Sequence, residues 1–251
     1  MAIKLYQVHG SHPCAAVKRA LELKGLDYKI VEFPPPFHMP IQRLRTGTRT
    51  VPSLRLEDGT MVSGSSPILH KLDELAAEPK LFPSAAVEEA ESWGEAVLQP
   101  LGRTQLWSSF ARAPECMHAY QQGGKLPPLP KPVVRMIAPV AIRVERKVNK
   151  ADDQRVRSEL AALPGYLDKI DGWIADGTIG GAVPNAADLQ ICSTLRLLMT
   201  LGDLRPLIAS RPAGELTLRL WPDHPGDVPA GTFPADWLPA NSSSSAASLA
   251  G

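Results

Sequence analysis

At 251 residues the chain exceeds one average domain and falls short of three, so it can bury one large core or two modest ones. Its 27 Lys and Arg against 26 Asp and Glu leave a formal charge of +1, which offers no net field for nucleic acid or an anionic membrane and favours small, locally recognised ligands. Cys14, Cys116 and Cys192 are odd in number and far apart, unlike a disulfide framework or a metal cluster, and fit a reducing cytoplasm.

Met1 to Leu5 runs straight into a strand pattern without the regions of a signal peptide, and no apolar run approaches bilayer length, so a soluble, unsecreted protein is expected. Ile3 to Val8 is β-rich. Pro13 to Lys24 places Ala16, Val17, Ala20, Leu21 and Leu23 at helical spacing and closes at Gly25. Tyr28 to Phe33 makes a second strand, parallel to the first through a right-handed crossover. Pro34-Pro35-Pro36 then opens an irregular or helical link to Thr48. Val51 to Leu56 and Met61 to Ser63 flank the turn Asp58-Gly59, and a helix follows from Pro67 to near Ala77. The order β-α-β, link, β-β-α predicts a mixed four-stranded sheet.

After Leu81-Phe82-Pro83 the character turns helical, which puts a domain boundary near residue 80. Val87, Ala90, Val97, Leu98 and Leu101 form one apolar face up to a kink expected at Pro100. Further helices are expected over Val133 to Val148, Asp152 to Ala175 and Ala186 to Thr200, with Pro139 and Pro164 threatening two of them. Ala113 to Pro132, with Gly123-Gly124 and Pro127-Pro128, reads as a mobile excursion that covers a cleft or does nothing. Residues 239–251, rich in serine, cannot pack a core and are expected to be disordered.

Three features carry chemistry. An X-Pro bond is the one peptide for which cis is cheap, and a cis bond at Val51-Pro52 would turn the Val51 N–H and C=O outward to pair with an extended peptide. Ser65 and Ser66 stand before Pro67, so the helix they open would offer free N–H groups and a positive dipole end to a carboxylate. Between the first strand and first helix sits Ser11-His12-Pro13-Cys14, where thioredoxin-like folds carry Cys-x-x-Cys. A fourth stretch, Ile179 to Asp188, ends in Asn185 and Asp188 at capping-box spacing and is read as structural.

Together these residues resemble the glutathione S-transferase superfamily over roughly residues 3 to 221. The resemblance implies an α/β thioredoxin-like domain over 1–80, an all-helical domain over 84–238 and a homodimer, with glutathione as cosubstrate and no metal. It makes Ser11 the hydroxyl that stabilises a bound thiolate, Val51 the backbone clamp, Pro52 the residue that sets it, and Ser65, with Ser66, the γ-glutamyl carboxylate site. Arg49 and His38 fall where some members hold contacts to the glycyl carboxylate, and Arg103, Trp107 and Phe110 either face the electrophile or pack between domains. Gly64 stands where the family places an acid, and Thr50 replaces a frequent lysine. Three functions stay open: thiol transfer to small electrophiles, a non-catalytic binding or dimerising module, and a glutaredoxin-like reductase using Cys14.

Overall fold

The computed structural model describes residues 2–33, 38–48 and 50–239. Its first part is a four-stranded sheet in the order β2-β1-β3-β4, built from β1 (Ile3–Gln7), β2 (Tyr28–Glu32), β3 (Ser53–Arg55) and β4 (Met61–Ser63). β1 runs parallel to β2, with Ile3 opposite Tyr28, and antiparallel to β3, with Tyr6 opposite Ser53. A central strand is covered on both faces, and β1 accordingly buries Ile3 and Leu5 on one side and Tyr6, stacked on Phe33, on the other. Helix α1 (His12–Leu23) lays Ala16, Val17, Ala20 and Leu21 against the sheet. At the β3–β4 turn the Asp58 carboxylate accepts the Thr60 N–H at 2.8 Å, and Gly59 takes φ +94°, which a side chain would resist.

The link after β2 is a helix, α2 (His38–Thr46), rather than an irregular segment. Its anchor is polar: Gln42, fully buried, donates to Ser53 Oγ at 2.7 Å and to the Thr50 carbonyl at 3.1 Å, while Leu44 points into solvent. Helix α3 (Ser65–Leu75) begins two residues earlier than expected and closes the sheet with Ile68, Leu69 and Leu72.

The remainder is helical. α4 (Ala85–Trp93) and α5 (Gln99–Arg112) are joined by a π-helical turn over Gly94–Leu98. That widened turn sits just ahead of Pro100, whose missing N–H and ring the chain accommodates within helical structure. α6 (Lys131–Val148) and α7 (Asp153–Ala175) continue through Pro139 and Pro164. α8 (Ala186–Leu198) is almost wholly buried, followed by α9 (Arg205–Ala209) and α10 (Pro212–Leu220). α8 serves two cores: Ala186 and Leu189 pack with Leu5, Leu54 and Ile68, whereas Ile191, Cys192 and Leu195 join Leu98, Leu160 and Leu167. Its capping box is complete, with Asp188 N–H donating to Asn185 Oδ1 at 3.1 Å and Asn185 N–H to Asp188 Oδ2 at 2.9 Å.

The stretch between α5 and α6 is not a free excursion. It forms a 3-10 helix over Pro114–Gln121, and the residues after it cross to the sheet, where they bond Glu32 and His9. Of the serine-rich tail, all but Pro239 lies outside the described residues.

Candidate functional site

Ser11 caps α1 in extended backbone, with φ −77° and ψ 117°. Its carbonyl accepts the Ala15 N–H at 3.0 Å and its N–H donates to Val8 O at 3.3 Å, which fixes the turn from β1 into the helix. The half-buried hydroxyl makes no capping bond, so it stays uncommitted to the backbone. One turn on, Cys14 is 2 % exposed; burial pushes its thiol up to about 11, offset in part by hydrogen bonding from the Ser11 hydroxyl and the Val8 backbone. Such a thiol is protonated at neutral pH and is a poor nucleophile.

The Val51–Pro52 bond is cis. Val51 lies two residues before β3, whose Ser53 pairs with Tyr6 of β1, five residues ahead of Ser11. Among the described residues no hydrogen bond engages the Val51 N–H or C=O. The Pro52 carbonyl accepts the Gly64 N–H at 3.0 Å, tying this strand to the start of α3.

At that start the two serines do not cap. Gly64, with φ +96°, is the capping residue, and Ser65 and Ser66 are the first helical residues. Their hydroxyls face the helical part of the chain. Ser65 Oγ, in a residue 3 % exposed, accepts from Gln99 Nε2 at 2.8 Å and from Gln190 Nε2 at 3.2 Å. Ser66 Oγ donates to Glu91 Oε2 at 3.0 Å. Arg103 Nη1 donates to Gln99 Oε1 at 3.0 Å, so a polar seam runs from Arg103 through Gln99 to Ser65 and Gln190. What α3 retains for an anion is its first N–H groups, which find no acceptor among the described residues.

Burial loads this seam with unusual acids and bases. Glu91 is fully buried, its Oε1 has no partner among the described residues, and burial lifts its carboxyl to about 7. His12 is 3 % exposed and its Nε2 has no partner among the described residues; burial, then Arg103, then His224 hold it well below the ordinary imidazole range, so it is neutral. Tyr6 belongs to the sheet core, and Phe110 packs edge-on between Trp107 and Tyr120 in the helical core. Arg49 and the side chain of His38 lie outside the described residues.

The turn before α1, the Val51–Pro52 bend and the start of α3 carry Ser11, Val51 and the two serines that the sequence singles out. Glu91, Gln99 and Gln190 carry no such signal: they stand 25, 34 and 125 residues from the serines they bond and follow no motif spacing. A surface groove of about 780 Å³, lined by Ala111, Pro114, Arg143 and Lys147 among others, contains none of these residues.

Residues 5–80 match the family described as "Glutathione S-transferase, N-terminal domain". The fold is similar to a glutathione S-transferase from Rhodospirillum rubrum, 21% identical, TM-score 0.56, covering 86% of this chain and 91% of that one. It is similar to a β-etherase from Sphingobium sp., 16% identical, TM-score 0.58, covering 87% and 99%. It is similar as well to a glutathione S-transferase of Ceriporiopsis subvermispora in complex with glutathione, 16% identical, TM-score 0.57, covering 88% and 96%. Curated proteins yield no match. Residues 5–80 thus match a glutathione S-transferase N-terminal domain, and the two-part fold of the chain is similar to that of glutathione S-transferases.

Proposed function

We propose that the protein is a glutathione S-transferase-like enzyme that activates the thiol of glutathione, or a similar low-molecular-weight thiol, for attack on or isomerisation of small electrophiles. The observation that carries this reading is the Ser11 hydroxyl, free of any backbone capping bond at the N-terminus of α1, in the same domain as a Val51 backbone without hydrogen-bond partners among the described residues. A peptide laid along Val51 pairs with that backbone, its carboxylate meets the first N–H groups of α3, and its sulfur lies at Ser11. A free thiol has a pKa of about 8.5. Lowering it by about two units takes ~2.7 kcal/mol of preference for the thiolate, within reach of one charge-assisted hydrogen bond and a helix dipole. Ser11 acts as donor to sulfur, and no general base is required. The glutathione complex of the similar fungal fold supports the ligand class. The reading takes residues 1–80 as the thiol-binding domain and 84–238 as the electrophile side, in a cytoplasmic homodimer serving detoxification.

One observation favours a second reading, a non-catalytic binding or dimerising module: Gly64 supplies no acid, and the Ser65 and Ser66 hydroxyls are already bonded to Gln99, Gln190 and Glu91. The Cys14 reductase is opposed by burial and a thiol raised to about 11. Calorimetric titration with glutathione decides between the first two. Binding that feeds conjugation of a model electrophile, lost in Ser11→Ala, supports the enzyme; no binding at millimolar glutathione defeats it.

A further inference from the structure

We infer that the stretch following the 3-10 helix Pro114–Gln121 is a latched roof on the turn that carries Ser11, and that it limits the size of what is joined to the thiol. The inference rests on the proposed thiol site. One end of this segment is fixed in the helical core: Tyr120 is buried, its hydroxyl is 2.6 Å from Thr200 Oγ1, and its ring packs edge-on against Phe110. The other end reaches across to the sheet. The Glu32 carboxylate, at the end of β2, accepts the N–H groups of Lys125 at 3.2 Å and Leu126 at 3.1 Å, and receives Gln7 Nε2 at 3.4 Å. His9 Nε2 lies 2.7 Å from the Gln122 carbonyl.

The approach is close, so that a side chain here would push the Glu32 carboxylate off its present position. A Cβ on Gly124 would stand 2.7 Å from Glu32 Oε1 and 3.1 Å from His9 Cγ. Nearer the anchored end, a Cβ on Gly10 would stand 3.2 Å from the Tyr120 carbonyl. His9 and Gly10 immediately precede Ser11, so the segment rests on the turn that presents the hydroxyl. Its grip is polar and light. Residues 122 to 126 are mostly exposed, and among the described residues they hold the sheet through hydrogen bonds to two side chains, Glu32 and His9. An element held by few exposed hydrogen bonds opens more readily than the cores on either side of it. Closed, it sets a ceiling on whatever projects from a sulfur at Ser11; open, it admits bulk.

Two variants unlatch it by different means: Glu32→Ala removes the acceptor, and Gly124→Ala inserts a methyl into the contact. Hydrogen exchange at the Lys125 and Leu126 amides reads the latch, and calorimetric affinities for S-methylglutathione and S-hexylglutathione read the ceiling. The roof predicts amide exchange at least about ten-fold faster in both variants, as loss of charge-assisted bonds requires. It also predicts that the hexyl-to-methyl affinity ratio rises several-fold while S-methylglutathione binding holds. Failure of wild-type protein to bind S-methylglutathione defeats the thiol-site reading and takes the ceiling with it. Intact S-methylglutathione binding with unchanged exchange, or with an unchanged ratio, overturns the roof alone.

Discussion

Glu91→Gln should change how stability depends on pH, and the structure fixes both sign and ceiling. Glu91 is fully buried between α4 and α3, with Ser66 Oγ donating to Oε2 and no described partner at Oε1. Burial raises its carboxyl from an ordinary 4.5 to about 7, with Glu95 and Glu88 adding to the lift and Ser66 opposing it. The folded state therefore binds the Glu91 proton more tightly than the unfolded state. Its contribution is fully present below about pH 4.5 and is lost as pH rises through about 7. The shift of about 2.5 units corresponds to a ceiling of about 3 kcal/mol. Glutamine keeps an oxygen for Ser66 and cannot ionise, so any cost of the amide is constant with pH. His12 and His224, the latter held down to about 4 by burial, act in the opposite direction in both proteins, losing stability as pH falls below the ordinary imidazole range, and cancel in the comparison. Thermal melts of both proteins at pH 5 and pH 8 should show the Tm difference move in favour of the variant at pH 8 by several degrees, at about 2–4 °C per kcal/mol. Parallel profiles for the two proteins would refute the assignment of a raised Glu91 carboxyl.

Three further outcomes follow from the same contacts. Cys14, raised to about 11 and 2 % exposed, should resist iodoacetamide in the native protein at neutral pH while Cys116, half-buried, reacts first; mass spectrometry showing rapid Cys14 alkylation contradicts its burial. Asp188→Ala removes the acceptor of both the Asn185 and Gly180 N–H groups and half of the α8 capping box, so a loss of about 2–4 kcal/mol is expected in denaturant unfolding. Ser65→Ala deprives the Gln99 and Gln190 amides of their shared acceptor and should cost about 2 kcal/mol, whereas a change within error would show the seam to be unimportant to folding.

Elements whose contacts are apolar and periodic were legible in the chain: the alternation of Ile3 and Leu5 marks β1, and Ala16, Val17, Ala20 and Leu21 mark α1, because burial itself imposes those periods. α2 was less so, read only as an irregular or helical link, since its fixed residue is Gln42 and one of its few apolar ones, Leu44, is 89 % exposed. The Asn185–Asp188 box is local chemistry and reads directly. Ser65 and Ser66 look like caps by the same local rule, yet tertiary partners on α4, α5 and α8 claim their hydroxyls and Gly64 becomes the cap. The segment after Tyr120 reads as a loose loop because glycine and proline dominate it; the residue that holds it, Glu32, is 93 residues away from Lys125. Polar pairing at such range has no periodicity for a sequence to display.

In the proposed function, the hydroxyl of Ser11 favours the thiolate of a peptide held at Val51. The most direct measure of this preference is the ultraviolet thiolate titration of glutathione bound to the wild-type protein and to Ser11→Ala. A bound thiol about two units below the free value is expected in the wild type, and one close to the free value in the variant. Equal titration in the two proteins, with glutathione bound to both, would contradict it.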